Sequence, residues 1–216
     1  MIISPGRRYV FVHIPKTGGT SLALALEDRA KKDDIMLGDT PKARKRRRRL
    51  KGVQTRGRLW KHSTLADIDG LLPPGELEQL FAFTMVRNPW DRAVSYYHWL
   101  RGQSFDHPAV RLAQELDFGW FLADPYIAQS LRSGQAASYM TRVDGVEQCA
   151  AYIRVEHFAT DAAPLFERLG FHLELPHINR SDRAEGYQQY YDDRLIRLVA
   201  DYCGPDIDRF GYRFEG

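Results

Sequence analysis

The chain has 216 residues, 44% hydrophobic and 27% charged, with a formal charge of +3. That length builds one α/β domain with a substantial core, and the composition is that of a folded globular protein, not a disordered or fibrous one. No apolar run approaches the roughly 20 residues of a membrane span, and two distant cysteines, Cys149 and Cys203, fit neither a metal site nor a disulfide framework.

The opening stretch MIISPGRRYVFVHI lacks the charged, apolar and small-residue order of a secretory signal. With the cysteine usage, this leads to the expectation of a reducing, cytoplasmic location. The net charge is unevenly spread. Lys42 to Lys51, KARKRRRRLK, carries eight basic residues and no acid, so without it the formal +3 becomes −5.

Tyr9 to Val12, with Ile14 beyond His13, is an apolar run typical of a strand buried on both faces. Pro15 ends it, Gly18 and Gly19 make the backbone pliable, and Ser21 to Leu26 reads as a helix. Strand, glycine loop and helix aim backbone N–H groups at a bound anion. Lys16 adds a mobile positive charge there. An ATP/GTP P-loop carries its lysine late, in GxxxxGK[ST]; here the lysine precedes the glycines.

The stretch from Lys31 to Gly52 reads as a long surface excursion, with 42–51 a basic, mobile loop. Val53 to Trp60 reads as a short strand, and Ser63 or Thr64 as the cap of a short helix through Leu71. Phe81 to Val86, FAFTMV, is a second buried strand. It runs into Asn88-Pro89, an N-cap followed by a first-turn proline, so a helix is predicted to about Leu100. Helical periods recur near 108–117, 126–132, 160–169 and 190–202, and Ala151 to Val155 reads as a third inner strand. The expected fold is α/β: one domain, 1–216, with a mostly parallel central sheet flanked by helices on both faces.

Arg87 ends a buried strand, where open α/β sheets bind ligands, and Ser95 lies about two turns into the next helix. A guanidinium and a hydroxyl so placed can meet on one phosphate. A surface ion pair for Arg87 and a solvated or back-bonded hydroxyl for Ser95 are the ordinary alternatives.

FVHIPKTGGTSL followed by FTMVRNPWDRAVSYY resembles the 5′- and 3′-phosphate motifs of sulfotransferases that use 3′-phosphoadenosine 5′-phosphosulfate (PAPS). They are similar in particular to the group containing Golgi carbohydrate sulfotransferases and bacterial relatives. IRVEHF, LPHINRS and DIDRFGY match later segments of that family more loosely. The resemblance implies a P-loop NTPase-like sulfotransferase fold and PAPS as donor without a metal. It places Lys16, Thr17, Gly18, Gly19, Thr20 and Ser21 on the 5′-phosphosulfate, and Arg87 and Ser95 on the 3′-phosphate. His62 becomes the catalytic base, although relatives carry Gly-His where this chain has Lys61-His62; Glu156 is the alternative base. His13 reads as a core histidine. The implied acceptor is a hydroxyl of a glycan or glycolipid, anionic acceptors included.

Sulfuryl transfer is an in-line displacement helped mainly by positioning and electrostatics. Lys16 suits the leaving phosphate oxygen, and a histidine suits the acceptor proton. Two rival readings are a kinase-like phosphotransferase and a non-catalytic nucleotide- or nucleic-acid-binding module. The basic run itself reads as a solvated loop, a patch for an anionic acceptor, or a nucleic-acid contact. The last is the weakest, since no aromatic or helical reading motif accompanies it.

Overall fold

The computed structural model describes residues 1–176 and 186–215. These fall into two compact units. One takes Met1–Val86 and the segment from Ala136 to 176; the other takes Arg87–Gln135 and the segment from 186 on.

The first unit is built on a five-stranded sheet. Strands β1 (Ile2–Ser4) and β2 (Tyr9–Val12) are joined by a 3₁₀ turn at Pro5–Arg7. Pro5 presets the turn and Arg8 closes it in the left-handed region (φ 57°, ψ 49°). The chain thus folds straight back, and Ile2 pairs with Phe11 and Ser4 with Tyr9 in antiparallel register. Strand β3 (Ile35–Met36) adds to β1, also antiparallel. On the other side β2 pairs in parallel with β4 (Phe81–Val86), and β4 with β5 (Ala151–Arg154). The order is β3-β1-β2-β4-β5. The sheet is therefore mixed and not mostly parallel: the MIIS hairpin arm supplies the antiparallel half. Ala151–Arg154 closes one edge instead of lying inside.

In chain order, α1 (Gly19–Asp28) and α2 (Pro41–Arg46) belong to this unit. The second unit holds α3 (Pro89–Arg101), α4 (Pro108–Glu115), α5 (Phe118–Ala123) and α6 (Pro125–Ser133). The first resumes with α7 (Ala136–Met140), α8 (Phe158–Asp161) and α9 (Ala163–Leu169), and α10 (Asp193–Phe210) lies in the second.

Strand alternation sorts the first unit's core into two layers. Tyr9 and Phe11 join Phe83, Met85, Ile153, Leu22 and Leu165 on one face of the sheet. Val10 and Val12 join Ile3, Ala82, Leu65 and Met140 on the other. That double burial is why β2 reads as an unbroken apolar run.

Two local expectations fail for one reason. Residues 53–60 form no strand, and 64–71 form turns in place of a helix. Thr64 and Asp67 do make a reciprocal cap, Thr64 N–H to Asp67 Oδ2 (2.8 Å) and Asp67 N–H to Thr64 Oγ1 (3.1 Å). But the Asp67 and Asp69 carbonyls accept from Gly57 and Arg56 N–H, both at 3.0 Å. The two segments satisfy each other outside the sheet and outside a helix. The basic run also differs from the expected loop: α2 covers Pro41–Arg46 and a 3₁₀ turn continues it through Arg47–Leu50.

In the second unit, Asn88 caps α3 by accepting from Trp90 N–H (3.1 Å), and Pro89 takes the first turn. His107, Asp117, Asp124 and Asp192 cap α4, α5, α6 and α10 in the same way. Trp90, Val94 and Tyr97 of α3 pack with Phe121, Ile127 and Val199. The last helical period, read as ending near 202, meets a kink at Cys203 (φ −114°, ψ 16°) ahead of Pro205, and α10 continues beyond it.

Candidate active site

The loop after β2 is bent by two left-handed residues. Gly18 (φ 83°) is the N-cap of α1, and Lys16 (φ 66°) takes the same region although it carries a Cβ. A non-glycine residue there costs about 1–2 kcal/mol, which the surrounding packing must offset. Thr17 anchors the bend. It is buried, and its hydroxyl donates to the Ile14 carbonyl (2.9 Å), so its side chain belongs to the loop's own structure. Thr20 is exposed and Ser21 half-buried on the first turn of α1. Gly18 has no side chain with which to cap the helix, and Ser21 N–H donates to the Gly18 carbonyl (3.0 Å).

Gly19 is fixed by a close approach. A Cβ there would lie 2.2 Å from His13 Cδ2 and 2.6 Å from its Nε2. His13 is thus more than a core histidine. It is 6% exposed, lies under the loop, and meets the His62 ring edge-on with centroids 4.7 Å apart. Burial, helped by the nearby N-terminal ammonium of Met1 and by Lys61 and Lys16, holds its ring well below the usual histidine range. The sequence signal for this role is faint: one histidine directly after a buried strand and ahead of the loop.

His62 stands on a turn tied by Ser63, which is buried, accepts from Trp60 N–H (2.9 Å) and donates to the Arg58 carbonyl (2.8 Å). Trp60 flanks the His62 ring (5.0 Å), and Lys61 pairs with Asp39 (2.9 Å). His62 Nδ1 lies 2.7 Å from the His13 carbonyl oxygen. A carbonyl only accepts, so Nδ1 carries the hydrogen, and Nε2 bears the lone pair in the neutral ring. The loop and His62 are thereby linked twice through His13, by its ring and by its carbonyl.

Arg87 directly follows β4. Its side chain is 17% exposed and held by Asp91 of α3, with Nε 2.7 Å from Oδ2. The ion pair read as the ordinary alternative is present, one helical turn along and largely buried. Ser95 is 5% exposed on α3. Glu156 is exposed, in the 3₁₀ turn (Val155–His157) after β5. Cys149 and Cys203 are free thiols. The Asn179 and Ser181 of LPHINRS lie outside the described residues.

The pH response of His13 follows from its lowered value. The unfolded chain binds a proton at this histidine that the folded one refuses, so folding is unpenalised above an unfolded histidine's value of about 6.5 and stability falls as pH drops below it. The melting temperature of the wild type is expected to fall between pH 7 and pH 5 more steeply than that of His13→Gln. Parallel melting curves across that range would refute the assignment.

The first unit is thus an α/β fold in which a parallel strand pair leads into a left-handed loop bearing a lysine and then into the N-terminus of α1. A model of the sulfotransferase family matches residues 1–213, and the chain belongs to that family. Sulfuryl transfer is therefore its general chemistry. Neither curated proteins nor solved structures give a significant match. Among the described residues no helix is long and apolar enough to cross a membrane.

Proposed function

We propose that this protein transfers the sulfuryl group of PAPS to a hydroxyl of a carbohydrate or glycolipid acceptor, on a P-loop-like fold. The observation that carries this reading is the Pro15–Ser21 loop: left-handed at Lys16 and Gly18, closed to any side chain at Gly19, and opening onto the N-terminus of α1. Such a cradle fits a phosphosulfate by backbone N–H donation and helix dipole. When bound, PAPS supplies the sulfuryl group. Lys16 Nζ balances charge on the phosphate oxygen that leaves as its S–O bond breaks. The acceptor hydroxyl forms the new O–S bond and gives its proton to His62 Nε2. Arg87 and Ser95 take the 3′-phosphate, Asp91 holding the guanidinium in orientation.

The 3′-phosphate separates this reading from an adenylate- or ATP-binding one. 3′-Phosphoadenosine 5′-phosphate is expected to raise the melting temperature more than adenosine 5′-phosphate or ATP. Arg87→Ala should remove about 1.5–3 kcal/mol from binding of the first, the scale of a charge-assisted hydrogen bond, and barely change that of adenosine 5′-phosphate. Equal weakening of both would remove Arg87 from the 3′ end.

A further inference from the structure

The basic run is two-faced, and the division follows helical spacing. Lys42, Arg46 and Arg49 point back into the first unit. Lys42 Nζ donates to the Glu27 carbonyl at the end of α1. Arg46 donates to the Lys31 and Asp34 carbonyls (2.8 and 3.1 Å), and Arg49 to the Lys32 carbonyl (2.6 Å). Thr40 caps α2 and also bonds Glu27, and Ala43 is buried beneath it. Three charges in the run therefore serve as fasteners, satisfying backbone oxygens that a loop would leave to water.

The remaining five, Arg44, Lys45, Arg47, Arg48 and Lys51, are exposed. Arg44 and Lys45 lie on α2, Arg47 and Arg48 in the 3₁₀ turn that continues it, and Lys51 at the end of that turn. Among the described residues none of these five forms an ion pair with a carboxylate. Like charges crowded into one short segment repel, so the element holds a self-repelling stripe in place through the bonds of Lys42, Arg46 and Arg49.

The stripe reaches the proposed acceptor side of the site. Gly38 sits between Ala43 of α2 and Lys61, where a Cβ would meet theirs at 3.8 and 3.9 Å. Lys61 hydrogen-bonds Asp39, and Arg44 and Arg47 are near enough to help it hold that carboxyl below the usual range. His62 is the next residue.

We propose that the exposed face of α2 and its 3₁₀ extension is a docking rail for a linear acceptor carrying several anionic groups, an acidic oligosaccharide, leading its hydroxyl toward His62. This rests on the sulfotransferase reading above. Nucleic acid is the poorer fit because residues 41–51 contain no aromatic side chain on which a base could stack.

The test is fluorescence anisotropy with a labelled sulfated oligosaccharide, a neutral dextran oligosaccharide of equal length and a single-stranded DNA of matched charge, at low and high potassium chloride. Three proteins are compared: wild type, Arg44→Ser/Arg47→Ser, and Arg194→Ser/Arg197→Ser, which removes the same charge from α10. The wild type should bind the sulfated probe, with affinity falling as salt rises, and should ignore the neutral one. The α2 double variant should bind about tenfold more weakly, the α10 variant as wild type. Both variants keep Lys42, Arg46 and Arg49 and should melt as wild type. Equal weakening in the two variants would overturn the rail in favour of general net-charge attraction. DNA bound as tightly as the sulfated probe would replace it with nucleic-acid binding. A melting-temperature shift with 3′-phosphoadenosine 5′-phosphate, measured alongside, separates the two readings. The nucleotide shift without oligosaccharide binding sinks the rail alone. Oligosaccharide held through Arg44 and Arg47 without a nucleotide shift sinks the proposed activity and leaves the rail.

Discussion

His62→Ala is expected to lower turnover by about 100-fold or more, the scale of a lost general base, with affinity for 3′-phosphoadenosine 5′-phosphate near that of wild type. The reason is the tautomer. With Nδ1 donating to the His13 carbonyl at 2.7 Å, the neutral ring carries its lone pair at Nε2, which names the nitrogen that would take the acceptor's proton. The sharper measurement is the pH profile. Wild-type rate should rise with pH as an imidazole base loses its proton, and His62→Ala should lose that limb. If the limb survives there and disappears in Glu156→Gln, the base is Glu156, the exposed acid in the turn after β5. In that case His62 is a structural neighbour of His13.

Lys16→Ala is expected to lower turnover by about 10²–10³, comparable to removing one preorganised donor from a developing oxyanion. Nucleotide binding should be weakened less, because backbone N–H groups of the loop and of α1 remain. The left-handed backbone at Lys16 (φ 66°) supplies an internal control. Lys16→Gly removes the same charge but also relieves the Cβ strain, so it should be more stable than Lys16→Ala by about 1 kcal/mol and no more active. Activity returning in the glycine variant would show that the alanine defect lay in the backbone, and the charge would have no part in the chemistry.

Much of this could be read directly along the chain because it depends on near neighbours. Tyr9–Val12 and Phe81–Val86 are apolar runs that become strands buried on both faces. Asn88-Pro89 caps α3 because an N-cap and a first-turn proline act within a single turn. The family motifs are equally local. The antiparallel half of the sheet was not legible, since Ile2–Ser4 is too short to declare a partner until the Pro5–Arg8 turn sets it beside β2. The double face of the basic run was also hidden: Lys42, Arg46 and Arg49 find their acceptors at Glu27, Lys31, Lys32 and Asp34, and composition cannot distinguish a charge that fastens from one that is presented.

By itself the sequence determined the α/β class, the strand–loop–helix unit around Lys16, and membership in a family that moves sulfuryl groups, all read from apolar runs, turn residues and short motifs. Only the tertiary structure decided that His13 lies against Gly19 and fixes the His62 tautomer across 49 positions. Each of these outcomes depends on which carbonyl or carboxylate the fold brings within hydrogen-bonding distance. A buried polar group must take a partner, but which one it takes is settled by packing.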